Sequence, residues 1–196
     1  MNISQYSAGE RLSHLLYLVY GKICYPKSRL IRLPFYVRGR KGLELGPGLT
    51  VGRGCRFDID GPRGTLKIGA DCNFNDRVHI VAHSSVVIGN RVLMASNIFI
   101  SDTSHGSLNG SCDSPSIPPV ERGLSTKPVA IGNDVWIGEG ACIMPGVHLG
   151  DGCIVGANAV VTHDAEANTV LAGVPAVPIK RWDGVKWVKI ASPQEE

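Results

Sequence analysis

From residue 131 the apolar positions of this chain recur every six residues. The stretch reads Ile131-Gly-Asn-Asp-Val-Trp, Ile137-Gly-Glu-Gly-Ala-Cys and Ile143-Met-Pro-Gly-Val-His, then continues from Leu149, Val155 and Val161. An aliphatic residue opens each unit. A small or β-branched residue stands four positions later: Val135, Ala141, Val147, Cys153, Ala159 and Ala165. The same phase is present upstream, opened by Leu45, Val51 and Phe57, then Ile68, Phe74 and Ile80, then Ile88, Met94 and Ile100. Their fourth-position partners include Leu49, Cys55, Cys72, Val78, Val92 and Ile98. A period of six matches neither the alternation of a strand nor the turn of an α-helix. It fits a short strand followed by a corner. Three such units close a triangular coil, and coils stack at the strand spacing of about 4.8 Å. Five coils are expected, over 45–62, 68–87, 88–105, 131–148 and 149–166. No coil buries its own apolar column, so stability must come from stacking. The pattern predicts an all-β solenoid, a parallel β-helix over 41–173.

Three stretches leave the phase. Residues 1–40 form an N-terminal helical and basic extension. Ser7-Ala-Gly-Glu10 reads as a capping box. Leu12, Leu15, Leu16, Val19 and Ile23 follow at the spacing of an amphipathic helix, which stops around Pro26. Two roles are open to this helix: a lid packed on the first coil, closing its sheet edge, or a helix resting on a membrane surface. The second break is a long excursion loop, 106–127, holding Pro115, Pro118 and Pro119 and leaving the coil directly after His105. A loop of that length is uncommon unless it is functional or disordered. The third is the tail, 174–196. There Trp182-Asp-Gly-Val-Lys-Trp187 carries an Asp-Gly hairpin signal, and the last five residues are expected to fray.

Composition sharpens this picture. The 196 residues include 24 glycines and only 6% aromatics, so the core is expected to be thin and filled by small and β-branched side chains. No apolar run reaches the roughly 18 residues of a membrane span. The first residues do not read as a signal peptide, because Glu10 and His14 interrupt the apolar positions. The expected location is the cytoplasm, with the inner face of a membrane open as a variant of it. Six cysteines, at 24, 55, 72, 112, 142 and 153, form no C-x-x-C pair. Several occupy repeat positions that want a small apolar group, which fits free thiols in a reducing compartment. Segment 22–41 carries seven cations and no acid, so with a net charge of +3 overall the rest of the chain is at −4. Such a stripe suits phosphate-bearing partners or an anionic membrane surface, and it reads equally as a solvated basic segment.

Two stretches carry a family likeness: Lys127-Pro-Val-Ala-Ile-Gly-Asn-Asp-Val-Trp-Ile-Gly-Glu-Gly-Ala, and Gly156-Ala-Asn-Ala-Val-Val-Thr-His-Asp with Ala172-Gly-Val-Pro-Ala. Together they resemble the maltose, galactoside and nodulation acetyltransferases of the hexapeptide-repeat class. The resemblance runs over residues 66–181. The chain as a whole looks closest to the O-acetyltransferases of lipopolysaccharide and capsule biosynthesis. The resemblance implies a left-handed parallel β-helix, which spacing alone does not give. It implies a homotrimer with active sites between subunits, acetyl-CoA as acetyl donor, no metal, and a sugar or glycan acceptor. No nucleic-acid partner is expected.

Relatives of this kind hold a histidine where the long loop departs, and Ile98-Phe-Ile-Ser-Asp-Thr-Ser-His105 matches that place. Where many of them have proline next, this chain has Gly106. A sugar hydroxyl is a poor nucleophile, and imidazole is suited to take its proton near neutral pH. The expected chemistry is direct attack on the thioester with His105 as general base, and Asp102 or a backbone carbonyl orienting its ring. The resemblance further implies donor contacts at Trp136, Glu139, Ala157, Thr162, His163 and Lys180, with Arg181 near the last. Relatives usually carry lysine where His163 stands and often arginine where Val177 stands. Acceptor contacts are implied at Asn75 and Arg77, with Asp102 beside the base. Free sugars, amino-sugar nucleotides and antibiotics are alternative acceptors. Two other readings differ in kind. A zinc site built from His79, His83 and His105, as in hexapeptide carbonic anhydrases, requires residues that the repeat phase puts at different points of the coil. A non-catalytic assembly subunit would need neither the long loop nor the histidine at its root.

Overall fold

Short strands wind into a three-sided parallel β-solenoid in the computed structural model, which describes residues 7–60, 64–107 and 114–190. The first side stacks Leu30–Ile31, Thr50–Val51, Asn73–Phe74, Leu93–Met94, Trp136–Ile137, Ile154–Val155 and Thr169–Gly173 in that order, which makes about seven turns. The second runs from Phe35–Arg38 through Cys55–Ile59, His79–Ala82, Phe99–Ser101 and Cys142–Ile143 to Val160–Val161. The third stacks Leu43–Leu45, Thr65–Ile68, Ser85–Ile88, Val129–Ile131 and His148–Leu149. At the C-terminal end the chain folds back antiparallel. Thr169–Gly173 pairs with Ala176–Trp182, which pairs with Trp187–Lys189 through the expected Asp-Gly turn, Trp182 opposite Trp187.

The hexad reading describes the interior well. Every opener from Val51 to Val161 is buried, and so are its small fourth-position partners, from Leu49 to Ala165. Register puts equivalent residues directly over one another: Phe74, Met94 and Ile137 share one column. The free thiols of Cys55, Cys72 and Cys153 fill small inward positions, and burial pushes Cys55 up to about 11. We expect these three cysteines to resist a neutral-pH disulfide reagent in the native protein and to react on denaturation. Rapid native labelling of Cys55 would contradict this packing.

The glycines divide into two groups. Corner residues with positive φ are Gly48, Gly54, Gly140 and Gly152, but also Asp71, Arg77, Arg91, Asn97, Asp134, Asn158 and Asn168. Gly69 and Gly89, at the second position of their hexads, lie outside that conformation. They are small because coils touch there. A Cβ on Gly69 would stand 2.5 Å from the Gly89 carbonyl oxygen, and one on Gly89 would stand 2.6 Å from the Gly132 carbonyl carbon. Backbone cannot step aside within a stack. Gly89→Ala is therefore expected to cost about 1–3 kcal/mol, read as a lower urea midpoint.

The openers of the five expected coils, Leu45, Ile68, Ile88, Ile131 and Leu149, stack in one column, and a partial coil precedes them. Ile31, Val37 and Leu45 register with Val51, Phe57 and Ile68, so the stack begins earlier, at Leu30, inside the segment read as an extension. One corner varies in length. Between the second and third sides the column positions jump from 37 to 45, 57 to 68, 80 to 88 and 100 to 131, and only from 143 to 149 is the step a true six. An unbroken count of six would lose the column here, and the breaks left between 62 and 68 and between 105 and 131 keep it.

The N-terminal helix spans Ala8–Cys24, and Ser7 and Glu10 form the expected capping box. It does sit on the first coil, but with its other face. Among its described residues only Gly21 is fully buried, against Ser28 and Ile31. The stripe of Leu12, Leu15, Leu16, Val19 and Ile23 is exposed. The open end of the solenoid is sealed by aromatic rings instead. Tyr20, Tyr25, Phe35, Phe57 and Phe74 run inward in succession, with centroids 5.1–6.2 Å apart. Few aromatics in the chain thus become a concentrated plug at one end.

Candidate active site

The long excursion leaves at the variable corner. It departs earlier than expected, at Asp102, so His105 belongs to the outgoing arm and not to the coil. Thr103–His105 pairs antiparallel with Leu124–Thr126, His105 opposite Leu124, and the Gly106 N–H donates to the Gly123 carbonyl at 2.8 Å. Residues 108–113 of the loop, Cys112 among them, and the tail end at 191–196 lie outside the described residues. The ribbon pairs the backbone of His105 along one edge, and the residue is exposed. Alternation along the ribbon puts Ser104 and Ser125 on the opposite face. There they line a cavity of about 350 Å3 with Gly106, Lys127 and Met144.

Asp102 occupies neither of its expected roles. It is fully buried, and its carboxylate accepts the N–H groups of His83, Ser84 and Ser85 at 2.7–2.9 Å and the Thr103 hydroxyl at 2.8 Å. Its own carbonyl accepts the N–H of Lys127 at 2.8 Å. One residue therefore clasps the outgoing arm, the returning arm and the corner of the coil below. An acid saturated in this way neither reaches a substrate nor orients His105.

The other candidates fall at two corners and one edge. Asn75, Arg77, Glu139 and Ala157 line the corner between the first and second sides. Arg77 donates through Nε to Asn97 Oδ1 at 2.6 Å, and Asn97 Nδ2 donates to Glu139 at 2.6 Å, so expected acceptor and donor residues share one polar ladder. Glu139 also accepts the Ser96 N–H at 3.0 Å. Asn97 was not singled out by the sequence, where it is one more Asn at a corner. Its structural signature is a φ of 60°. Thr162 and His163 lie at the corner from which the arm of His105 departs, joined by a 2.8 Å hydrogen bond between the Thr162 hydroxyl and Nδ1 of His163. Trp136 is exposed on the first side, and Lys180 stands in the C-terminal hairpin opposite Val170. Arg181, next to it, is bound to Glu166 at 2.7 Å.

The two corners are separated by one side of the triangle, about 15–20 Å at 3.3 Å per residue. Within one chain, the exposed imidazole and the Arg77–Glu139 ladder therefore do not meet. The two other histidines of the zinc reading have carboxylate neighbours of their own. His79 meets Asp58 at 3.0 Å on the outer face of the second side and stacks on Phe99, while His83 lies 3.5 Å from Asp60 at the corner below. Burial raises the Asp58 carboxyl, but hydrogen bonds from Arg56 and His79 outweigh it and hold the group below its usual range. Among the described residues no group of three His, Cys, Asp or Glu side chains is placed to hold a metal ion.

Comparison with known proteins bears on this geometry. The model of the bacterial transferase hexapeptide (six repeats) matches residues 128–163. The Escherichia coli K12 protein WbbJ, provisionally named a lipopolysaccharide biosynthesis O-acetyl transferase, is 42% identical over 164 residues, 83% of this chain and 83% of that one. Among solved structures, a variant of AntD, an N-acyltransferase from Bacillus cereus in complex with dTDP-4-amino-4,6-dideoxyglucose and coenzyme A, shares the fold with a TM-score of 0.68 at 20% identity, over 90% of this chain and 89% of that one. A galactoside acetyltransferase in complex with coenzyme A aligns with a TM-score of 0.50 at 27% identity, over 81% of this chain and 74% of that one.

Proposed function

The chain belongs to the bacterial hexapeptide-repeat transferases and is an acetyltransferase, and on that footing we propose that it moves an acetyl group from acetyl-CoA to a sugar hydroxyl, with His105 as general base. The observation that carries this reading is an exposed imidazole held on a paired ribbon at the root of the longest break in the repeat. The relative named for lipopolysaccharide biosynthesis supports a surface-glycan acceptor, and the cytoplasm as the place where acetyl-CoA is met.

In the proposed step His105 removes the acceptor hydroxyl proton as the oxygen attacks the thioester carbonyl. A backbone N–H takes the developing oxyanion. As the carbon–sulfur bond breaks, the imidazolium returns the proton to the departing thiolate. No acetyl-enzyme forms. The separation of the two corners supports a site shared between copies: one chain offers His105, and a neighbour in a homotrimer offers Asn75, the Arg77–Asn97–Glu139 ladder and Ala157. The residues suit the donor. Trp136 gives an exposed apolar face, Ala157 and Thr162 give accessible main chain, and Lys180 and His163 are nitrogen donors for the phosphates.

The test is acetyl-CoA consumption by purified protein over free sugars, nucleotide sugars, lipid-linked oligosaccharides and antibiotics. Turnover with a hydroxyl-bearing glycan is expected. Turnover confined to an amine acceptor or an antibiotic would overturn the sugar-hydroxyl assignment.

A further inference from the structure

The N-terminal helix turns its apolar stripe away from the protein. Leu12, Leu15, Leu16, Val19 and Ile23 are 61, 57, 59, 49 and 75% exposed. At the 3.6-residue period they fall in one arc about 100° wide. The face opposite holds Tyr17, Tyr20, Gly21 and Cys24, and through it the helix docks: a Cβ on Gly21 would stand 3.1 Å from the Ser28 hydroxyl and 3.6 Å from the Ile31 nitrogen. A stripe of this width ordinarily faces a core. Here five aliphatic side chains lie side by side on the outer surface of the chain.

The charges around the stripe are of one sign. Glu10 is the single acid of the helix, and its carboxylate is bound at 2.7–2.8 Å to the backbone N–H and hydroxyl of Ser7. Lys22 flanks the stripe, and the chain then enters the segment of seven cations without an acid. Arg29 and Arg38 are paired to Asp71 and Asp58, whereas Lys22, Lys27, Arg32, Arg40 and Lys41 have no carboxylate partner among the described residues. A cavity of about 700 Å3 opens at the C-terminal end of the helix, lined by Lys27, Arg40 and the Lys67–Glu44 pair beside Tyr25 and Leu43. The 17-residue helix is about 25 Å long, and no described helix is long and apolar enough to cross a membrane.

We propose that this helix lies flat in the headgroup boundary of an anionic phospholipid bilayer, with its leucines toward the acyl chains and Lys22 and Lys27 on the lipid phosphates. The two features answer to the two forces of such binding, apolar burial and attraction to acidic headgroups. A second copy of the chain satisfies only the first, because pairing two stripes would also bring two +7 segments together. The inference stands apart from the acetyl-transfer chemistry, and its test reads no activity. If both hold, an acceptor carried on a lipid would meet the enzyme at the surface on which the enzyme rests.

The experiment is flotation of the full chain with vesicles of phosphatidylcholine alone or of equal parts phosphatidylcholine and phosphatidylglycerol. Binding to the mixed vesicles only is expected, weakening as salt shortens the screening length. The Leu12→Gln, Leu16→Gln, Ile23→Gln variant should bind on the order of 10²-fold less. Lys22→Gln and Lys27→Gln should each weaken binding about fivefold. These side chains are exposed, so an unchanged melting profile shows that the fold survives. Leu16→Trp adds an emission that brominated acyl chains should quench. Wild-type protein that does not float, a triple variant that floats like wild type, or an added emission in the Leu16→Trp variant that bromine leaves untouched would each overturn the proposal. Wild type that stays unbound, with a triple variant of altered mass in light scattering, would assign the stripe to a contact between copies instead.

Discussion

His105→Ala is expected to lower turnover by about 10²–10⁴-fold with the fold intact, the range associated with loss of a positioned general base. The imidazole is exposed, and what holds the residue is main chain: the pairing with Leu124 and the Gly106–Gly123 hydrogen bond. Removing the side chain touches neither, so the urea midpoint should stay within the scatter of a surface substitution, about 0.5 kcal/mol. Proton removal is needed only as the hydroxyl attacks. The loss should therefore fall on kcat and kcat/KM alike, with little change in KM. Near-wild-type turnover in this variant would remove His105 from the chemistry. A loss confined to KM would make it a binding group instead.

Asp102→Ala should have the largest effect on stability, about 3–5 kcal/mol. Alanine leaves three backbone N–H groups at His83, Ser84 and Ser85 without an acceptor inside the fold, and an orphaned buried donor costs about 1–3 kcal/mol. Asp102→Asn should restore little, since its amide would point N–H toward N–H. Thr103→Ala removes one hydroxyl donor from the same carboxylate and should cost only about 1 kcal/mol. Denaturant titration of the three variants distinguishes the clasp from a group acting on the imidazole. A clasp orders them Ala and Asn well below Thr103→Ala in midpoint. A residue that merely orients His105 would leave the midpoint unchanged and lower kcat alone. Asp102→Ala should lose activity too, because the ribbon that carries His105 is fastened through it.

The fold was legible because the repeat is a burial pattern. Ile131, Ile137 and Ile143 must point inward for a coil to stack at all, and a column of them over successive coils leaves few alternatives. The start of the stack was less legible, because Leu30–Ile31 and Phe35–Arg38 lie in the basic segment before the hexad phase is established. Their place in the solenoid shows only in the register of Ile31 with Val51 and of Val37 with Phe57. The hexad glycines were visible but ambiguous: a one-letter repeat does not separate a glycine needed for positive φ from one such as Gly89, needed because a neighbouring backbone passes within contact.

At the site the division is similar. His105 stood out because the phase breaks beside it. The role of Asp102 did not, because its partners at 83–85 are main-chain N–H groups one coil below, and main-chain donors leave no mark in a sequence. Asn97 was silent for the same reason: its link from Arg77 to Glu139 exists only once three coils are stacked.

What the sequence by itself determined is the six-residue periodicity, the class of chain that carries it, the capping box at Ser7 and the histidine at the root of the loop. Each is local, or repeats locally, so neighbours along the chain suffice to write it. What only the tertiary structure decided is which face of the N-terminal helix meets the solenoid, where Asp102 directs its carboxylate, and the separation of the candidate residues onto two corners. These depend on which backbone groups and side chains stacking brings together across 18–43 residues of chain, as in the Asp102 and Glu139 contacts. An amphipathic pattern states that a helix has two faces. Packing against Ile31 and Ser28 decided that the small one goes in.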